Sequence, residues 1–243
     1  MPITTSVLTT SLVKILSPII SDIYGTAKGS AASAYARWSV AKFPRKLAKH
    51  IASIGNVKTL RHPETDISLL NFYYPSRVIA GRKPVEVHSL DDLGEGNLVI
   101  QGIVGQGKSI FLRYLALREL MKSGNNRIPI FLELRTLTAN FSLRTAIYKQ
   151  LAAYEIDIDD ASFSHLAQSG RTVLMLDGFD ELEEDLVRAT LLEISFLAQR
   201  YPTLRIIVSS RPSNEVQKAG GFKIIRLRPI APAEHSPFLR KLG

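Results

Sequence analysis

No cysteine occurs among the 243 residues, and tryptophan and methionine are scarce, with one and three copies. The lack of cysteine excludes a disulfide framework, thiolate-ligated zinc or iron–sulfur centres and a thiol nucleophile, and it fits a reducing, cytoplasmic compartment. Long apolar runs are missing too. The apolar stretch over residues 7–24 is interrupted by Lys14, Pro18 and Asp22, well short of the roughly 18 uninterrupted apolar residues a bilayer span needs. Its first base falls inside the apolar run, which argues against a secretory leader, and the start is richer in lysine than an arginine-rich transit peptide. The five histidines (His50, His62, His88, His165, His235) show no i,i+3 or i,i+4 pairing, which disfavours a histidine zinc site.

Acid is nearly absent from the first quarter. Residues 1–62 carry nine bases against the single acid Asp22, so they hold +8 of the net charge of +9; the other 181 residues carry 22 bases and 21 acids. A uniformly basic nucleic-acid-binding domain is therefore excluded, and the asymmetry marks an N-terminal module with its own electrostatic character. With 45% apolar and 22% charged residues the chain has the composition of a globular protein able to bury a substantial core.

Within the module, Leu8, Leu12, Ile15, Leu16, Ile19 and Ile23 recur at helical spacing and predict an amphipathic helix. A Gly-Ser-Ala stretch then leads to a second helical pattern over residues 35–42, and Pro44 divides it from a third over 46–54. Trp38, Phe43 and the bases of 37–49 suit an anionic membrane surface, nucleic-acid phosphates, or simply the solvated face of a helical bundle. Residues 63–96 are punctuated by Pro and Gly and read as a connecting segment with short strands.

From residue 97 to 243 apolar runs alternate with helical patterns: strands at 98–100, 128–134, 172–176, 204–209 and 222–227, and helices at 108–123, 143–153 and 185–200. Continuous Val/Ile/Leu strands separated by helices predict an α/β domain, a three-layer αβα arrangement whose parallel sheet is covered on both faces.

Directly after the first of these strands and before a helix stands Gly102-Ile103-Val104-Gly105-Gln106-Gly107-Lys108-Ser109-Ile110, which satisfies G-x-x-x-x-G-K-[ST]. Glycines let the backbone curl around phosphates, N–H groups converge on the anion at a helix N-terminus, Lys108 bridges terminal phosphate oxygens, and Ser109 is a magnesium ligand. The next strand-end acid, Asp177 in Val173-Leu174-Met175-Leu176-Asp177, falls on the same sheet edge and serves the metal side of the site. Asp180 and Glu181 follow, and either can orient or activate the attacking water; the other reading makes them acids answering a helix macrodipole. Arg211, at the tip of the strand Arg205-Ile206-Ile207-Val208-Ser209, is placed to sense or neutralise a γ-phosphate.

Together these stretches resemble the NACHT branch of the STAND-type P-loop NTPases, similar in core to AAA+ proteins. The resemblance rests on the phosphate loop, Ile128-Pro129-Ile130-Phe131-Leu132-Glu133-Leu134-Arg135 as second strand, the Asp177-Gly178-Phe179-Asp180-Glu181 acid motif, the Val208-Ser209-Ser210-Arg211-Pro212 sensor and Leu227-Arg228-Pro229-Ile230 before Phe238-Leu239. It implies ATP or GTP with Mg2+, a sensor strand inserted between the two motif strands, and slow hydrolysis as a signalling switch. In such a switch the ATP-bound form assembles as a homo-oligomer, in prokaryotic relatives as part of anti-phage defence. It also implies that residues 72–78 lie near the nucleoside. Residue 243 falls where that family's helical subdomain starts, which implies a fragment of a longer receptor or a minimal protein. Two other functions fit the same chemistry: an AAA+-type loader or remodeller of nucleic acid, and a nucleotide-stabilised module that binds membrane or nucleic acid through its basic N-terminus.

Overall fold

The computed structural model describes residues 53–59, 62–80, 83–122, 127–154 and 159–241. The helices expected in the N-terminal module fall almost wholly outside them. Among the described residues no helix is long and apolar enough to cross a membrane.

A hairpin of β1 (Asn56–Thr59) and β2 (His62–Ser68) is followed by the single helical turn α1 (Leu69–Phe72) and by β3 (Arg77–Ala80) and β4 (Lys83–Glu86). Then come β5 (Asn97–Gln101), α2 (Lys108–Met121), β6 (Ile128–Glu133), α3 (Leu143–Ala153), α4 (Asp160–Gln168) and β7 (Thr172–Asp177). The chain continues through α5 (Glu184–Arg200), β8 (Arg205–Ser210), β9 (Phe222–Leu227) and α6 (His235–Lys241). Strands β3 to β9 form one seven-stranded sheet in the order β4-β3-β9-β5-β8-β7-β6.

Strands β9, β5, β8, β7 and β6 are mutually parallel, and β8 lies between β5 and β7 as expected. The parallel α/β sheet expected from residue 97 onward is present, and two short strands of the connecting segment, β3 and β4, add on beyond β9 in antiparallel fashion. The physical reason is visible in burial. Continuous apolar runs identify strands covered on both faces, such as β7, in which every residue is buried. Four-residue strands with Pro84 at the sheet edge carry no such signal. On the β9 side one face is open, leaving Ile79 and Ile224 exposed.

Alternation along the central strands feeds two apolar layers. Ile130, Leu132, Leu174, Leu176, Ile206 and Val208 pack against α3, α4 and α5 through Ile147, Leu151, Phe163, Leu166, Ile194 and Leu197. Phe131, Val173, Met175 and Ile207 face the other way, with Leu98 and Ile100, onto Phe111, Leu112 and Leu115 of α2 and Leu69. Full burial of each such side chain is worth about 1.5–3 kcal/mol. Helix α4 was not anticipated: it is short, but Asp159 caps it by accepting the Ser162 N–H at 2.8 Å, and Phe163, Leu166 and Ala167 form its buried stripe.

Tyr154, closing α3, is wholly buried and donates its hydroxyl to the Pro129 carbonyl at 3.1 Å; burial pushes its pKa up to about 12. Tyr154→Phe would leave that buried carbonyl one partner short. We expect a loss of about 1–2 kcal/mol in denaturant unfolding, with the fold unchanged by circular dichroism.

Candidate functional site

Strands β5, β8 and β7 run in register, Gln101 beside Ser210 and Leu176 beside Val208, so the segments that follow them emerge on one sheet edge. The loop after β5 is tied to its neighbour by Gly102, whose N–H donates to the Ser210 carbonyl at 3.1 Å. Gly105 and Gly107 adopt φ of 73° and 85°, left-handed values that glycine tolerates best. Gly107 caps α2, and the first helical hydrogen bond runs from Phe111 N–H to the Gly107 carbonyl at 2.8 Å. The N–H groups of Lys108, Ser109 and Ile110 therefore have no acceptor within the helix and point toward the space the loop encloses. Ser109 and Ile110 are half-buried in that first turn, while Ile103 and Val104 form an exposed tip.

The Lys108 ammonium lies back over the loop, donating to the Gly102 carbonyl at 2.9 Å and, more distantly, to that of Ile103 at 3.4 Å. Gln106 braces the loop: its side-chain oxygen accepts the Ile103 N–H at 2.8 Å and its amide donates to the Leu227 carbonyl at 2.6 Å. A Cβ at Gly102 would stand 2.8 Å from that oxygen and 3.2 Å from Lys108 Cγ, which explains the glycine there.

Asp177 ends β7 with only 8% of its surface exposed. Ser209, wholly buried on β8, donates to Asp177 Oδ1 at 2.5 Å and accepts the Gly178 N–H at 2.8 Å, so one hydroxyl fixes both the carboxylate and the turn after it. The 3-10 turn Phe179–Glu181 carries the next two acids in different settings. The Asp180 carboxylate is nearly buried and holds Arg211 twice, through Nε at 2.6 Å and through its backbone N–H at 3.0 Å. The Glu181 side chain is 44% exposed, with Arg135 Nη1 3.9 Å from its carboxylate.

One cluster has no role assigned from sequence. Glu133, in register with Asp177 at the end of β6, pairs with Arg113 of α2 and with Arg135, whose Nη2 is 2.6 Å away. Arg113 also stacks over Phe131 and donates to the Ile54 carbonyl at 2.9 Å. The available signal was the position of Glu133 and Arg135 just past an apolar strand, on the edge that bears Asp177.

Beside the loop lies a cavity of about 220 Å3 whose lining includes Tyr74, Gly105, Gly107, Ile110, Pro229 and Phe238. Tyr74 meets Phe238 edge-to-face at 5.9 Å, and Tyr73 stacks on Tyr114 of α2 at 3.6 Å between centroids. Burial pushes the Tyr73 hydroxyl well above the usual tyrosine pKa, so it stays protonated as donor to Ser76 Oγ at 2.9 Å. Arg77 pairs with Glu234 at 2.8 Å and holds the entry to α6 against β3.

Three neighbouring strands, β5, β8 and β7, thus bring the glycine-rich loop, Arg211 and Asp177 to one edge. A family model, that of the NACHT domain, matches residues 97–242. The chain belongs to the NACHT family. Its NACHT domain is accordingly a nucleotide-binding P-loop NTPase domain. A comparison with curated proteins gives no match.

Ser209 is the structural keystone of the NACHT site. Ser209→Ala removes a donor from Asp177 and leaves the Gly178 N–H buried without its acceptor. We expect it to cost about 1–3 kcal/mol of stability, read by denaturant unfolding.

Proposed function

We propose that this NACHT domain binds a purine nucleoside triphosphate, ATP in the first instance with GTP as the alternative, together with Mg2+, and hydrolyses it slowly as a signalling switch. The observation that carries the reading is the convergence of a complete phosphate loop, Asp177, Glu181 and Arg211 on one sheet edge next to an aromatic-lined cavity.

In this reading the N–H groups of 107–110 cradle the phosphates, and the Lys108 ammonium exchanges its loop carbonyls for terminal phosphate oxygens. Ser109 and Asp177 would hold magnesium; both are hard oxygen donors, and Asp177 is already oriented by Ser209. Bound there, the cation neutralises charge developing across the phosphates. Residues 72–78 and Phe238 would take the base and ribose, since their cavity opens beside Gly105 and Gly107.

The two acids divide by setting. Asp180 has both oxygens committed to Arg211, which makes it a positioning group, whereas Glu181 is open to water and is the better general base. Water adds to the γ-phosphorus, the bond to the bridging oxygen breaks, and Glu181 takes the proton. Arg211 is held by Asp180, and an exchange of that partner for the γ-phosphate would make the arginine responsive to the third phosphate. Assembly into a homo-oligomer in the triphosphate state, and a place in anti-phage defence, follow from the family resemblance and complete the proposal.

Lys108→Ala should weaken nucleotide binding by about tenfold to a hundredfold, measured by calorimetry; unchanged affinity overturns the site. Glu181→Gln should retain binding and lower turnover about a hundredfold or more, and trap any assembly in mass photometry. If Asp180→Asn is the variant that binds but does not turn over, the two acids exchange roles.

A further inference from the structure

Between the end of β5 at Gln101 and the start of α2 at Lys108, the loop consists of three glycines, two aliphatic residues and Gln106. Glycine gives up more backbone freedom on ordering than any other residue, so a loop of this composition keeps one shape only if something holds it. Ile103 and Val104 project from its exposed tip. The one polar side chain within residues 102–107 is that of Gln106, set between the left-handed Gly105 and Gly107.

Both ends of its carboxamide are used. The oxygen faces the Ile103 N–H and the nitrogen faces the Leu227 carbonyl, and a flipped amide would set oxygen against oxygen and N–H against N–H. Strand β5 pairs with β9 as far as Gln101 beside Arg226, and Leu227 is the next residue of β9. The Gln106 amide thus gives that carbonyl a donor beyond the point where β5 leaves the sheet. On the other flank the Gly102 N–H donates to the Ser210 carbonyl of β8. The loop is therefore fastened to both strands that flank β5, and on the β9 side the fastening is the Gln106 side chain.

Lys108 is the second side chain that holds the loop from within, through the carbonyls of Gly102 and Ile103. In the nucleotide reading above, its ammonium leaves those carbonyls for terminal phosphate oxygens, so its hold is lost as the phosphates arrive. The Gln106 carboxamide is neutral and has no such exchange to make. It grips Ile103 by its N–H, and its outer anchor, Leu227, is a buried residue of the sheet.

We infer that Gln106 is a positioning residue for phosphate binding: through Ile103 and Leu227 it keeps the loop in its curl after Lys108 has transferred to the nucleotide. The inference rests on the nucleotide reading and adds to it a side chain that raises affinity by preorganising the loop.

Calorimetry on the full chain with Mg-ATP and, separately, with inorganic tripolyphosphate and Mg2+ tests it. Gln106→Met keeps the length of the side chain and loses both hydrogen bonds, and Kd should rise about tenfold for each probe. Turnover at saturating Mg-ATP should stay within about twofold, because Asp177, Glu181 and Arg211 keep their contacts. Gln106→Glu keeps the acceptor for Ile103 but turns a carboxylate toward the Leu227 carbonyl, and should bind at least as weakly as the methionine variant. Unchanged affinity for both probes in either variant overturns the inference. So does a loss confined to ATP, which would make Gln106 a wall of the nucleoside cavity that it also lines. A fall in binding stoichiometry and turnover together, with Kd unmoved, overturns it in favour of a general role in folding. If the unchanged chain binds neither probe, the nucleotide reading falls and this inference with it; if it binds both and the variants match it, the role of Gln106 falls alone.

Discussion

Everything at the site depends on β8 lying between β5 and β7. It follows both in sequence, yet the parallel register of the three strands sets it between them, so the phosphate loop and the acid motif are separated by one strand width and share it as a wall. Ser209 uses that position to bind Asp177 and Gly178 at once. A slip of one residue along β8 would turn Ser209 to the other face of the sheet and put Val208 or Ser210 in its place, moving the whole aliphatic set of the strand with it. The apolar layers on both faces guard against that slip, since every residue of β7 and β8 is buried.

The charges named on this edge have protein partners. Lys108 rests on loop carbonyls, Arg211 on Asp180, and Arg113 and Arg135 on Glu133. Charges near a sheet edge stripped of partners would be costly, and paired ones are held in place. On the proposed function, phosphate binding at such an edge is an exchange of partners, in which a triphosphate would compete with carbonyls and carboxylates already present. Its affinity is therefore a difference between two well-satisfied states, which suits a device that must also let go.

Much of the arrangement was legible in the sequence. Continuous Val/Ile/Leu runs located the five parallel strands to within a residue or so at most ends, and the glycine spacing located the phosphate loop on the turn between a strand and a helix. The family resemblance anticipated the insertion of the sensor strand. What escaped were features that depend on partners distant in sequence. Pairing of β3 with β9 joins residues about 150 apart, and no local pattern in Arg-Val-Ile-Ala announces it. The grip of Asp180 on Arg211 and of Glu133 on two arginines likewise depends on which tips meet, so the sequence could name both acids of the Asp-Gly-Phe-Asp-Glu motif without telling them apart. Helix α4 lies below what periodicity reveals, because only three of its nine residues, Phe163, Leu166 and Ala167, form the buried stripe.

Gln106 joins the phosphate loop to the carbonyl of Leu227, where β9 ends; the next residue, Arg228, donates its N–H to the Arg77 carbonyl at 2.8 Å, and Arg77 grips Glu234 just ahead of α6. Each link is short, and the chain of links contains no slack segment. The bracing of the loop and the seating of α6 thus share one set of contacts, which makes the ends of β9 and β3 a common foundation for both.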